Sequence, residues 1–230
     1  MSFLSVFDVI GPNMIGPSSS HTAGANVIGY LARKLAPGEI RKATFRLYGS
    51  FAKTFEGHGT DKALLGGLLG FRSDDTRIRD SFRIAGEKGV EFAFVPDFEE
   101  TDVHPNTADI FMECDDGRVM TVRGESLGGG KARICRINGV EVDFSGEYSA
   151  MLVIQRDKPG VLAHITHCLS ESAVNIAFMR LFREAKGDTA YTFVESDSPI
   201  SPNVIPAVKL NSNVFEVMLI NKDTEAGGAQ

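Results

Sequence analysis

Cysteine is scarce in this chain: there are three, Cys114, Cys135 and Cys168. An odd number of widely spaced thiols argues against a disulfide framework and against a self-contained metal knuckle. Basic residues are also in deficit, with 24 Lys and Arg against 30 Asp and Glu and a formal charge of −6. The two signs are intermixed, so no basic stripe exists to draw in DNA or RNA. No segment approaches the roughly 18 apolar residues of a membrane span. The start, Met1-Ser2-Phe3-Leu4-Ser5-Val6-Phe7-Asp8, lacks the basic lead and long apolar core of a signal peptide. A cytoplasmic protein without a nucleic-acid or membrane partner is therefore expected. The hydrophobic fraction of 43% over 230 residues suffices for the core of one large or two small domains, without staples.

Against that background one polar run stands out: Ile15-Gly16-Pro17-Ser18-Ser19-Ser20-His21-Thr22-Ala23-Gly24. Ala25, Val27, Ile28, Leu31, Ala32 and Leu35 follow it at helical spacing, so a helix begins inside the run. Any of Ser18, Ser19, Ser20 or Thr22 can supply the cap, because a side-chain oxygen accepts from an orphan N–H of the first turn. A cap needs one hydroxyl, and five consecutive polar residues exceed that need. The remainder would face outward at the positive end of the helix dipole, where a carboxylate or phosphate is favoured.

A second polar cluster, Glu56-Gly57-His58-Gly59-Thr60-Asp61, precedes an apolar helix through Leu64, Leu65, Leu68 and Leu69. Its glycines allow close approach of a ligand to the backbone, and Thr60 or Asp61 can cap the helix. Between the clusters, residues 41–48 alternate as a strand and Gly49-Ser50 reads as a turn. A short strand or helix is expected at 5–10. Ser73-Asp74-Asp75-Thr76 reads as a cap for a helix ending near Gly89, and residues 90–95 as a strand. Hairpins are expected around Asp115-Asp116-Gly117 and Asn138-Gly139. Gly128-Gly129-Gly130-Lys131 lies between them and has no Walker spacing, so a bulge or flexible connection is the expected use.

Residues 145–149 read as a linker. Beyond it come a strand at 150–155, a helix at 159–172, strands at 174–183 and 189–195, a helix at 202–210 and a strand at 214–220. This βαββαβ order is that of a ferredoxin-like fold. His164 and Cys168 lie four apart on one helix without a third ligand, and Cys114 and Cys135 fall in strand patterns as core residues.

Gly16-Pro17-Ser18-Ser19-Ser20-His21-Thr22-Ala23-Gly24 resembles the signature of the iron-sulfur L-serine dehydratases. The motifs Gly57-His58-Gly59-Thr60-Asp61-Lys62-Ala63, Gly66-Gly67-Leu68-Leu69-Gly70, His104-Pro105-Asn106-Thr107 and Gly128-Gly129-Gly130-Lys131 follow in the order expected of that family's beta chain. The C-terminal third resembles an ACT domain. The resemblance implies an α/β (α+β) protein. A mixed N-terminal domain over 1–145 is similar to the allosteric substrate-binding domain of some phosphoglycerate dehydrogenases. A ferredoxin-like ACT domain follows over 150–222, then a disordered tail over 223–230.

It also implies conversion of L-serine to pyruvate and ammonia, with a 4Fe-4S iron-sulfur cluster held by a partner alpha chain, since this chain shows no clustered thiolates. Ser18, Ser19, Ser20, His21 and Thr22 would then form a shared catalytic site, with His21 as base or orienting donor and His58 as second candidate. Gly59, Thr60 and Asp61 would assist substrate or effector binding. In the ACT domain, Gln155, Asp157 and Asn175 would line the effector pocket beside the Asp157-Lys158-Pro159-Gly160-Val161-Leu162 turn. Gln155 and Asp157 replace the histidine and asparagine of serine-binding ACT domains, and many ACT domains serve mainly to pair subunits into dimers. A serine-sensing regulatory chain and a plain dimerisation module are the alternatives.

Overall fold

The computed structural model describes Met14 and residues 16–221. The expectations for residues 5–10 and for the tail lie outside the described residues. The chain divides into two compact units, the first ending at Ser145 and the second beginning at Gly146.

The first unit opens with a π-wound turn, Ser19–Gly24, that runs directly into helix α1, Ala25–Leu35. Strand β1, Ile40–Leu47, follows, then helices α2, Gly49–His58, and α3, Thr60–Leu68. A 3-10 segment, Thr76–Asp80, leads into α4, Ser81–Glu87, and strand β2, Glu91–Pro96. The strands β3, Thr107–Cys114, β4, Val119–Gly128, β5, Lys131–Ile137, and β6, Val140–Phe144, complete the unit. They form one sheet in the order β2-β1-β3-β4-β5-β6, parallel between β1 and β2 and antiparallel elsewhere. The β1–β2 crossover has to be long because a parallel pair cannot be closed by a hairpin, and α2 to α4 fill it.

Alternation along the strands decides the core. Ala43, Phe45 and Leu47 of β1 pair with Met112, Ile110 and Ala108 of β3, and all six are buried. The helices meet through glycine. A Cβ at Gly29 would overlap the Leu64 carbonyl oxygen, and one at Gly67 would overlap the Asn26 carbonyl oxygen. Only glycine therefore lets α1 and α3 approach this closely. The buried Asn26 amide fastens the contact, donating to the carbonyls of Ala63 at 3.2 Å and Phe71 at 3.1 Å.

Four local readings change. Gly49-Ser50 opens α2 instead of making a simple turn. Gly49 has φ +53 and its Cβ position is occupied by Pro105, so glycine starts a helix there. Neither Thr60 nor Asp61 is the cap of α3: the N-cap is Gly59, left-handed at φ 69, with no side-chain cap bond. Gly128–Lys131 is itself the β4–β5 hairpin turn, with a register shift between Ser126 and Gly128. The strand expected from residue 174 begins at Phe178, because Ala173 takes φ 54 and Val174 N–H closes back on the Leu169 carbonyl at 3.0 Å.

The second unit contains β7, Ser149–Arg156, α5, Val161–Glu171, β8, Phe178–Arg183, β9, Thr189–Ser196, α6, Val204–Lys209, and β10, Val214–Ile220. Its sheet, in the order β10-β7-β9-β8, is antiparallel throughout. Met151, Val153, Ile165, Leu169, Val194 and Val208 build its core. This is the ferredoxin-like βαββαβ arrangement.

Candidate functional site

Ser18 is the residue that caps the polar run. Its Oγ accepts from the backbone N–H of His21 at 3.1 Å. The following turn, from Ser19 to Gly24, is wound wider than an α-helix, a local irregularity concentrated at functional sites. The Thr22 hydroxyl donates to the His58 carbonyl at 3.3 Å and so joins the two polar clusters across 36 positions.

His21 is held on both ring nitrogens. Nδ1 lies 3.3 Å from Ser18 Oγ and 3.2 Å from Ser20 Oγ, while Nε2 lies 2.8 Å from Ser50 Oγ. Either neutral tautomer finds a hydroxyl at each nitrogen. The ring also meets Phe51 edge-on at 5.5 Å and His58 edge-on at 4.9 Å. Burial, and secondarily the His58 charge, hold the His21 pKa below its ordinary 6.5. The neutral imidazole is accordingly the resident form at neutral pH.

His58 is the exposed partner of the pair. It ends α2 and lines a cavity of about 310 Å³ together with Gly16, Thr22, Glu56, Gly59 and Lys62. Gly59 adjoins it and owes its glycine to a left-handed backbone. Thr60 is fully buried with its hydroxyl lacking a partner among the described residues. Asp61 is buried, accepts from Lys62 N–H at 2.7 Å and has its pKa raised, above all by desolvation.

Three positions at the site had been given no role from the sequence. Ser50 is brought to His21 by the start of α2, where the Ser50 N–H donates to the Pro105 carbonyl at 2.6 Å. Ser126, fully buried on β4, donates from Oγ to the Ser20 carbonyl at 2.9 Å. A Cβ at Gly24 would overlap that hydroxyl, which accounts for the glycine closing the motif. The Asn106 carbonyl receives the Ser126 N–H at 2.9 Å. The loop of residues 104–107 thus grips both sides of the His21 setting, although its histidine and proline offered no role in the sequence.

A separate charged cluster braces the sheet. Arg123 donates to Asp109 Oδ1 at 2.6 Å and Oδ2 at 2.8 Å, and to Glu100 Oε1 at 2.7 Å. The Tyr48 hydroxyl donates to Asp109 Oδ2 at 2.7 Å. Burial and the Asp109 bond push the Tyr48 pKa up to about 12.

The thiols do not fit a cluster within this chain. Burial raises Cys114, while burial and the Glu125 charge push Cys135 up to about 12, so both stay protonated. Cys168 is buried in the second unit. Among the described residues no group of three or more His, Cys, Asp or Glu is placed to hold a metal ion, and no helix is long and apolar enough to cross a membrane.

In the second unit Gln155 is buried on β7 with Oε1 unpartnered among the described residues. Asp157 turns toward the β8–β9 loop, where its Oδ2 accepts from Gly187 N–H at 3.0 Å and Arg183 Nη1 at 3.1 Å. These contacts, the backbone bond foremost, lower its pKa. Asn175 is exposed between α5 and β8.

Two families match the chain: the serine dehydratase beta chain over residues 5–91 and an AHAS small subunit-like ACT domain over residues 151–201. A Bacillus subtilis protein named a probable L-serine dehydratase, beta chain, is 41% identical over 220 residues, 96% of this chain and 99% of that one. The L-serine dehydratase beta chain of Peptoniphilus asaccharolyticus is 38% identical over 208 residues, 90% of this chain and 94% of its own length. A D-3-phosphoglycerate dehydrogenase of Bacillus subtilis is 25% identical over 198 residues, 86% of this chain but 37% of that protein. With identity of this level spread over almost its whole length, the chain belongs to the L-serine dehydratase beta-chain family.

Proposed function

We propose that this chain is the beta subunit of an L-serine ammonia-lyase, acting with an alpha chain that holds a 4Fe-4S cluster. The observation that carries the reading is the paired imidazoles. His21 is locked by hydroxyls on both nitrogens, and His58 stands 4.9 Å away at the mouth of a cavity of about 310 Å³, a volume suited to a small ligand.

Loss of ammonia from serine requires removal of the α-proton and departure of the β-hydroxyl. The aminoacrylate left behind tautomerises and takes up water to give pyruvate and ammonia. Assistance to the departing hydroxyl is the Lewis-acid chemistry the cluster supplies, and it belongs to the alpha chain. This chain's part is binding and proton handling. The Ser18, Ser19 and Ser20 hydroxyls and the first N–H groups of the turn hold the carboxylate, while Thr22, its hydroxyl bonded to the His58 carbonyl, ties the two clusters together. His58 exchanges the proton with substrate. His21, neutral and hydrogen-bonded on both sides, fixes the loop and the facing ring. Gly59 lines the cavity beside His58, and the buried Thr60 and Asp61 that follow it at the start of α3 assist substrate binding. In the ACT domain, Gln155, Asp157 and Asn175 form an effector pocket, and the edge strands β8 and β10 support pairing of two copies, which sedimentation of the full chain tests.

Pyruvate formation from L-serine, measured anaerobically with this chain alone and mixed with the alpha chain reconstituted with iron and sulfide, tests the assignment. Activity in the mixture alone supports it, and an inactive, cluster-bearing mixture refutes it. A sensing role is the second reading, favoured by the similarity of both units to part of a D-3-phosphoglycerate dehydrogenase. His58→Ala and His21→Ala separate the two. Lost turnover in an intact complex means catalysis, whereas normal turnover with altered serine cooperativity means sensing.

A further inference from the structure

Asn106 lies one step before β3, and the antiparallel ladder continues through it. Ala108 faces Gly124 and Thr107 faces Glu125, and the Ser126 N–H donates to the Asn106 carbonyl, so Asn106 stands opposite Ser126. Side chains alternate along a strand. Asn106 therefore shares a face with Ala108 and Ile110 and, across the ladder, with Gly124 and Ser126. This face carries the polar turn and α1: Gly124 abuts Ile28, and Ser126 Oγ bonds the Ser20 carbonyl at 2.9 Å. Directly opposed ladder residues hold their Cβ atoms about 4.5–5.5 Å apart, which sets the Asn106 carboxamide beside the Ser20-His21 segment. On its other side, the Pro105 carbonyl takes the N–H of Ser50, whose hydroxyl bonds His21.

The Asn106 Oδ1 is buried and has no hydrogen-bond partner among the described residues. A buried acceptor left unmade is costly and calls for a donor. The backbone of Asn106 and Pro105 holds Ser126 and Ser50, which in turn bond Ser20 and His21, so the neighbouring segments offer hydroxyls and a neutral imidazole that suit the carboxylate and hydroxyl of an amino acid. Its ammonium requires an acceptor.

We propose that the side-chain oxygen of Asn106 receives the α-ammonium of the amino-acid substrate, making this residue a determinant of selectivity for amino over amine-free hydroxy acids. The proposal rests on the beta-subunit reading given above.

The test compares the reconstituted alpha-beta complex carrying wild-type chain, Asn106→Leu or Asn106→Asp. Two quantities are read: KM for L-serine, and the competitive inhibition constant of 3-hydroxypropanoate, which has the carboxylate and hydroxyl but no amine. With Asn106→Leu, KM for serine rises about tenfold, the size of one charge-assisted hydrogen bond, while inhibition by 3-hydroxypropanoate stays unchanged. Asn106→Asp, which keeps an acceptor, remains nearer to wild type for serine. An equal loss for both ligands, or no loss for either, overturns the proposal. If Asn106→Leu fails to assemble, Asn106→Ala carries the same comparison. An inactive wild-type complex refutes the beta-subunit reading instead, so the two failures are distinguishable.

Discussion

Nε2 of His21 and Oγ of Ser50 lie 2.8 Å apart although 29 positions separate them in the chain. The contact exists because Gly49 can take a left-handed backbone against Pro105 and start a helix whose first turn points Ser50 at the imidazole. Ser50→Ala removes the hydroxyl that bonds that nitrogen while leaving the fold intact. A fall in kcat of about tenfold is expected, as for loss of one positioning hydrogen bond. Urea unfolding should shift by less than about 1 kcal/mol. Unchanged turnover would remove Ser50 from the site.

Acid should destabilise the first unit through His21. Its folded pKa lies below 6.5, chiefly from burial. As pH falls through 6.5 the unfolded imidazole takes up a proton while the folded one resists, so the unfolded state binds more protons and stability declines. The decline ends once pH passes the folded value. Urea midpoints measured from pH 8 downward, for wild type and His21→Ala, should diverge below pH about 6.5, with the variant showing the flatter curve. Parallel curves would mean that the folded imidazole titrates normally.

Arg123 is surrounded by Asp109, Glu100 and the Tyr48 hydroxyl, and its side chain is 8% exposed. Arg123→Met leaves Asp109 buried without its cation, and removal of one member of a buried pair costs about 3–5 kcal/mol. Chemical denaturation of the isolated chain measures this directly. Tyr48, with its pKa pushed up to about 12, should still be a phenol at about pH 10, where free tyrosine ionises, and ultraviolet titration would reveal a chromophore lagging behind free tyrosine.

Two helical glycines should respond in opposite directions to alanine. A Cβ at Gly67 would run into the Asn26 carbonyl oxygen and Tyr30 nitrogen of α1, whereas one at Gly57 meets open space. Gly67→Ala should destabilise by about 1–3 kcal/mol through overpacking against rigid backbone. Gly57→Ala should be neutral or stabilise by up to about 1 kcal/mol through helix propensity. Thermal melts of the two variants suffice, and similar shifts in both would show that α1 can move away from α3.

Much was decided by local chemistry that a sequence displays. Strand alternation places Ala43, Phe45 and Leu47 inward, the Asp115-Asp116-Gly117 and Asn138-Gly139 turns set their hairpins, and the order of periods in the last third specifies a ferredoxin-like sheet. The polar run stood out as a candidate site because it holds more hydroxyls than one cap can use. The setting of that site could not be read in the same way. Ser50 and Ser126 are ordinary residues at unremarkable spacings, and Asn106, although part of a family motif, had no role. Ser50 and Ser126 reach His21 and Ser20, with Asn106 beside Ser126, only because β3 and β4 pair in one register and α2 starts against Pro105. Hydrophobic period and turn propensity are properties of neighbours in the chain. Hydrogen bonds across 29 and 106 positions, and the burial that keeps His21 neutral, arise only when those strands and helices are packed together.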